Sequence, residues 1–390
     1  MTETFDVVVL GGGVTGASTA YHLARRGAGR ILILERAALC SGSTGLSVAS
    51  IDLLAHHPAA AELQVRSLRA FQYTQELFGD ECGWVETGMA LFVAPPAAAG
   101  LQAVAQIVNA AGGRMDLLTQ AEFQAMEPAS ACADAAAISW APEGGYVDPV
   151  LLTNTLVNAA RRLGVTVRQD DPALTLVRAG ERVTGVRVSA ETISAGAVVV
   201  ATGPWTARFL RESGLDVPLR PNRHSVAVLA GPAEVSPRVS FLDGLNLTYA
   251  RPESGGLTLC GSLDESIGND WVEADDACPV PDMDYGAWVA ERVIARYPGL
   301  ERGELRKGWS GIVTMSPDLQ PLLGALPLDG LYCAAGFSGQ GMKIAPAVGE
   351  MLAGLITGEA AAVKLLHPLR PARFAEGEPI PTAKLFGTLG

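Results

Sequence analysis

An apolar run, Phe5 to Leu10, leads directly into Gly11-Gly12-Gly13-Val14-Thr15-Gly16. No other stretch restricts the fold of this chain as strongly. Phe5 to Leu10 reads as a buried parallel strand. Thr15 to Arg26 carries a helical pattern closed by Gly27, and Ile31 to Leu34 forms a second buried strand ending at Glu35. This is G-x-G-x-x-G between a strand and a helix, with an acid roughly 20 residues on. Gly11 allows the tight turn, and Gly13 lets the backbone approach a pyrophosphate. Gly16 lets the helix pack on the strand, and Glu35 can accept hydrogen bonds from a ribose. Val14 and Thr15 open the helix, where bare N–H groups and the positive dipole end favour an anion. A glycine turn with no nucleotide would leave the strands and the acid unexplained.

These residues alone do not separate NAD from FAD. The next loop, Cys40-Ser41-Gly42-Ser43-Thr44-Gly45-Leu46-Ser47, is small and polar. An NAD domain would pass straight into its next helix. A longer cofactor needs such a loop as it passes its second phosphate and ring system, which points to Ser43 and Thr44. Strand-like runs at Val165 to Arg168, including Val167, and at Val183 to Val188 fit the same unit. So does Val198 to Ala201, which ends in Thr202-Gly203-Pro204-Trp205.

A second glycine loop lies near the other end, at Gly336-Phe337-Ser338-Gly339-Gln340-Gly341-Met342-Lys343. A strand-like run from Gly330 to Ala335 precedes it. A helical stripe of Ile344, Val348, Leu352 and Ile356 follows, with Pro346 expected in the first turn, where a missing N–H costs nothing. The loop therefore feeds a helix N-terminus suited to a delocalised anion.

With these pieces in order along nearly the whole chain, the sequence resembles the FAD-dependent D-amino-acid oxidase superfamily, in its glycine/sarcosine oxidase-like branch. The matching pieces include Gly11-x-Gly13-x-x-Gly16, Glu35-Arg36, Gly42-Ser43-Thr44-Gly45, Gly145-Tyr146-Val147-Asp148-Pro149, Ala201-Thr202-Gly203-Pro204-Trp205, Arg251-Pro252-Glu253 and Ser316-Pro317-Asp318. The C-terminal glycine loop resembles the G-F-S-G-H-G-x-K loop of sarcosine oxidases. The resemblance implies an FAD enzyme oxidising a secondary amine or amino acid, of the sarcosine, N-methyl or proline kind, to an imine by hydride transfer to flavin N5. It implies that the N–H groups of Gly341, Met342 and Lys343 meet the negative charge that grows on the flavin. It also places the Lys343 ammonium beside a substrate carboxylate. A lysine reaching solvent from a helix start is the plainer reading.

The expected fold is α/β with an α+β second domain. A Rossmann-like FAD-binding domain (1–83, 146–214 and 308–371) is interleaved with a mixed-sheet substrate domain (84–145 and 215–307). Residues 372–390 form a C-terminal tail. The 390 residues suffice for two such domains. The second domain carries strands at Ala90 to Val93, Ser225 to Ala230, Leu247 to Arg251 and Leu257 to Gly261, and a helix at Leu101 to Ala111.

A net charge of −12 without a basic stripe disfavours nucleic acid as a partner. No apolar run is long enough to span a bilayer. The first strand begins within a few residues of Met1, leaving no room for a signal peptide. Six cysteines without a C-x-x-C pair indicate neither a metal site nor a disulfide framework, and a cytoplasmic location is expected. Oligomeric state is open.

The sequence also departs from its relatives. D-amino-acid and glycine oxidases carry an arginine where Val313 stands and another where Gly339 stands. The cysteine that anchors flavin in monomeric sarcosine oxidases corresponds to about Gly311, and the histidine used by dimethylglycine-type enzymes to about Leu46. Non-covalent FAD is therefore expected. Ser50-Ile51-Asp52 replaces the arginines that follow the small-residue loop in sarcosine oxidases. Asp52 is a candidate for facing a cationic or polyhydroxylated substrate, and His56 or His57 for taking an amine proton. The plainer readings are a helix cap for Asp52 and exposed histidines. Tyr249 and Arg251 share one strand face. Arg251 is then either the replacement anion anchor or a salt-bridged rim residue. Trp309 reads as core. The strand after Gly255-Gly256 lacks the lysine that sarcosine oxidases hold over the flavin. The electron acceptor is thus O2 or another acceptor, such as a quinone or protein.

Three other readings are weaker. A flavin-bearing subunit of a heteromeric dehydrogenase would expose an apolar patch. A biosynthetic enzyme acting on a non-carboxylate amine would suit the missing arginines. A flavin hydroxylase would need a Gly-Asp pair after a late strand, where Gly336-Phe337 stands.

Overall fold

The computed structural model describes residues 3–381 apart from 265, 277, 278 and 282. Among these, the strand Thr4–Leu10 runs parallel between Ile31–Leu34 and Thr192–Val200. Thr166–Arg168 extends the sheet beyond Ile31–Leu34. Leu331–Ala335 pairs in parallel with the end of Thr192–Val200, and Arg182–Arg187 pairs with its start. Strands Thr175–Ala179 and Leu322–Ala325 complete eight described strands. The central strands are buried on both faces, which explains their unbroken apolar runs.

The helix Val14–Arg25 packs on one face beside Gly341–Ile356 and Pro149–Arg162. Asp148 accepts the N–H groups of Val150 and Leu151 and so caps the helix Pro149–Arg162. Val14–Arg25 and Gly341–Ile356 approach closely. The Ser18 hydroxyl donates to the Pro346 carbonyl at 3.1 Å. A Cβ on Gly349 would lie 2.1 Å from that hydroxyl oxygen. Pro346 is not in the first turn as expected. The helix begins at Gly341, so Pro346 lies in the second turn and denies a donor to the Met342 carbonyl.

A second, nine-stranded mixed sheet holds Met89–Val93, Ala137–Ala141, Arg220–Ala230, Thr248–Glu253 and Leu257–Ser262 among its strands. Met283–Arg296 packs against it. The strand Glu304–Met315 pairs along Arg220–Ala230 and belongs to this sheet. The expected division at 308 falls inside that strand, so sheet membership changes after Met315.

The start of the tail is held down. The Arg373 guanidinium is fully buried and pairs with Asp318 at 2.8 Å, and the Ile380 N–H donates to the same carboxylate at 3.0 Å. Residues 382–390 of the expected tail lie outside the described residues. No described helix is long and apolar enough to cross a membrane.

Candidate active site

A cavity of about 930 Å³ opens between the two sheets. At one end lie Gly11, Gly13, Val14, Thr15, Glu35 and Arg36, with Ala201, Thr202, Gly203 and Trp205. Ser43 and Thr44 also line it, Thr44 beside Gly13, as do Gly339, Gln340, Gly341, Met342 and Lys343. Asp52, His56, His224 and Tyr249 line it as well. Four predicted residues lie outside its walls. Gly16 packs against the first turn, where a Cβ would sit 2.0 Å from the Gly11 carbonyl oxygen. Gly336 sits beneath the C-terminal loop, and Val167 packs in the core beside Ile33.

Arg251 is the fourth, and its guanidinium already has partners of its own. Its guanidinium lies behind the cavity wall. It donates to the Val48 carbonyl at 2.6 Å, pairs with Glu253 at 2.9 Å, and stacks 4.0 Å from the Tyr146 ring centroid. The alternation put it on the face of Tyr249, but two residues farther along that face leaves the cavity. Trp309 is likewise not in the cavity wall; its indole N–H donates to the Leu46 carbonyl at 2.8 Å.

The first turn is built around Glu35. One carboxylate oxygen accepts the Gly12 N–H at 2.7 Å, and the other accepts the Ala37 N–H at 2.9 Å. Each oxygen keeps a free lone pair for a ribose hydroxyl. Gly11 has φ of +106°, and a Cβ there would lie 2.3 Å from the Ala201 carbonyl oxygen. Only glycine fits.

The C-terminal loop is tied to the strand Glu304–Met315 and to the turn that follows that strand. Its Ser338 N–H donates to the Thr314 carbonyl at 2.9 Å, and the Gln340 amide donates to the Leu319 carbonyl at 3.0 Å. Gly341, Met342 and Lys343 form the first turn of the helix, and their N–H groups have no intrahelical partner. Neither this helix nor Val14–Arg25 is capped by its own N-cap side chain or has an acid in its first turn, although the Val14 N–H donates to the Thr44 hydroxyl at 3.2 Å. Both N-termini open on the same cavity.

These features fit FAD. The N-terminus near Gly13 suits a pyrophosphate, and a Cβ on Gly13 would already lie 3.0 Å from the Thr44 hydroxyl oxygen. Glu35 suits a ribose. The N-terminus at Gly341 suits the electron-rich end of a ring system. Gly311 and Leu46 line the cavity and carry no group that could bond to the ring.

The walls also include Met89, Phe241, Leu242 and Leu263. The Lys343 ammonium pairs with Asp52 at 2.6 Å. Asp52 also accepts the Leu54 N–H at 2.9 Å, so it does not cap a helix. His57 does, accepting the Ala59 N–H at 3.1 Å. His56 faces the cavity rather than solvent. Burial, and then the Lys343 charge, push its pKa down. His224, which the sequence reading passed over, is pushed down to about 4 by burial. Its signal was alternation, since Asn222, His224 and Val226 share a strand face. Burial also raises the pKa of the Tyr249 hydroxyl, which stays protonated.

The profile of the family described as FAD dependent oxidoreductase matches residues 6–355. Human mitochondrial sarcosine dehydrogenase is 28% identical over 367 residues, covering 90% of this chain and 40% of that protein. The chain thus spans about 40% of the length of the first such curated relatives. Glycine oxidase of Geobacillus kaustophilus is 26% identical, covering 91% of this chain and 94% of that protein. The crystal structure of L-proline dehydrogenase from P. horikoshii superposes with a TM-score of 0.89 at 25% identity, covering 97% of this chain and all of that one.

Proposed function

The chain belongs to the family of FAD-dependent oxidoreductases, and on that premise we propose that it oxidises a secondary amine or amino acid to the imine. Bound FAD supplies the two-electron acceptor for this chemistry. The substrate's C–H bond and nitrogen lone pair provide the electrons, so the amine must react unprotonated.

One observation carries the reading. The uncapped helix start at Gly341 and the apolar chamber walled by Met89, Phe241 and Leu263 adjoin within one cavity. On this reading the N–H groups of Gly341, Met342 and Lys343 hold negative charge as it develops. The apolar walls exclude water and favour a neutral amine over an ammonium ion. His56 and His224, both with lowered pKa, can accept a hydrogen bond from an amine N–H without competing for charge. The Tyr249 hydroxyl can donate one.

Sarcosine-, N-methyl- and proline-type compounds head the substrate classes, since named relatives act on sarcosine, glycine and proline. FAD is held without a covalent bond, and the acceptor is O2 or another oxidant. The test is anaerobic bleaching of the bound flavin by N-methyl amino acids, prolines, D-amino acids and simple amines. Rapid bleaching by one class is expected. A panel in which no amine bleaches the FAD-loaded protein would overturn the reading.

A further inference from the structure

Each lysine or arginine that lines the cavity already holds a carboxylate. Arg36 and Arg208, at the nucleotide end, share Asp275 at 3.2 and 2.7 Å. Lys343, at the chamber end, holds Asp52 at 2.6 Å, with side-chain exposures of only 9% and 13%. Asp52 is fixed in place by the Leu54 N–H. His56, His224 and Tyr249 line the same cavity, His56 close enough to feel both charges, and none of the three carries charge near neutral pH. Among the described residues that line the cavity there is therefore no free cation, and the Lys343 charge is cancelled by Asp52. A substrate carboxylate would leave water for a site whose ammonium is taken and whose neighbouring oxygen repels it.

We propose that Asp52 is a specificity-determining residue: it cancels Lys343 and selects amines that carry no free carboxylate. The substrates are simple secondary amines, or amino acids whose carboxyl is masked as an ester or amide. This keeps the amine-oxidation reading above, on which it rests, but sets aside the carboxylate-bearing sarcosine- and proline-type substrates named there in favour of their masked or uncharged counterparts. It also reverses the expectation that Lys343 anchors a substrate carboxylate. An amine with an uncharged body needs no counter-ion, and its neutral nitrogen can meet the imidazoles and the Tyr249 hydroxyl.

The test uses the FAD-loaded protein and two non-reacting carboxylates, acetate and benzoate, followed by the spectrum of the bound flavin. Wild-type protein should show no saturable change below concentrations on the order of 10 mM. Asp52→Asn frees the ammonium and should tighten carboxylate binding by about tenfold or more. Lys343→Met should give no such gain, which separates charge cancellation from a loosened chamber. Tight binding by wild type, or unchanged or weaker binding in Asp52→Asn, overturns the proposal. If Asp52→Asn does not fold, wild-type bleaching by sarcosine and by its methyl ester decides. The ester should bleach the flavin about tenfold faster at equal free-amine concentration. Equal rates, or a faster acid, refute the role of Asp52. Failure of every amine, masked or not, instead sinks the amine-oxidation reading, and the carboxylate titration is unaffected by that result.

Discussion

Asp275 accepts the indole N–H of Trp205 at 2.7 Å. The two residues belong to different halves of the molecule. Asp275 follows the strand Asn269–Trp271 of the nine-stranded sheet, and Trp205 follows a strand of the eight-stranded one. Arg36 lies 4.5 Å over the same indole, and Arg36 and Arg208 both pair with Asp275. The Trp205 hydrogen bond, and then the arginines, hold the Asp275 carboxyl below its usual range. Trp205, Arg36 and Arg208 all line the nucleotide end of the cavity. Asp275 is therefore a clasp between the halves at that end.

Breaking the clasp should loosen FAD. Each pair is partly exposed and weak alone, but three contacts converge on one carboxylate. Asp275→Ala should speed FAD loss by about three- to tenfold, with little effect on turnover at saturating FAD. The rise of free-flavin fluorescence after dilution measures this. High salt should produce part of the effect in wild type, because it screens exposed charges. A variant that keeps FAD as long as wild type would show that the clasp does not retain the cofactor.

Glu35 holds the first turn together and is proposed to hold the ribose as well. Its carboxylate satisfies the Gly12 and Ala37 N–H groups where the side chain is buried. Glu35→Ala strands both donors, which costs about 1–3 kcal/mol for each group left unsatisfied. The apoprotein should then melt several degrees lower by circular dichroism. Glu35→Gln retains one acceptor and should lose less stability while still binding FAD more weakly. Equal melting temperatures for wild type and Glu35→Ala would contradict this account of the turn.

The first turn was legible because its determinants are local. A strand, three glycines and an acid lie within one supersecondary unit, and only one backbone path satisfies them. The Lys343–Asp52 pair spans 291 positions, and no local pattern announces it. It arises because Gly341–Ile356 starts beside the short strand Ser50–Ile51, a packing relation that periodicity does not encode. Arg251 shows the opposite failure. Its strand face was read correctly, but the end of the cavity along that face is set by the loop at Val48. Asp148 and Asp318, both in recognisable motifs, serve the fold as a helix cap and as the partner of Arg373. A motif match therefore marks ancestry more securely than it marks a role in the chemistry.

Lys343, the one lysine among the described residues that line the cavity, is committed to Asp52, which bears on the acceptor. Electron transfer to O2 builds negative charge, and a free cation nearby would favour it. Anaerobically reduced protein should therefore reoxidise slowly in air, over minutes. Asp52→Asn should accelerate the process. Stopped-flow absorbance after mixing with aerated buffer reads both. Reoxidation within seconds in wild type would remove the case for a quinone or protein acceptor.

Two half-buried histidines with lowered pKa should contribute to the loss of stability in acid. Burial, then Arg25 and Arg26, lower the pKa of His22 from 6.5 to about 3. Burial alone lowers His224 from 6.5 to about 4. In both cases the folded state prefers the neutral ring. Above pH 6.5 neither state binds the proton, and the folded state keeps its full stability. As pH falls below 6.5 the unfolded chain takes up protons that the folded chain refuses. Stability is lost by about 1.4 kcal/mol per pH unit for each ring. The loss ends near pH 4 for His224 and near pH 3 for His22, where the folded state protonates too. Urea unfolding between pH 7 and 4 should show this slope beyond that expected from carboxylates. His22→Phe should flatten it without altering the cavity, since His22 does not line it. His224→Gln should flatten it and also change amine affinity. A His22→Phe protein with the wild-type slope would show that His22 is not the proton-refusing group.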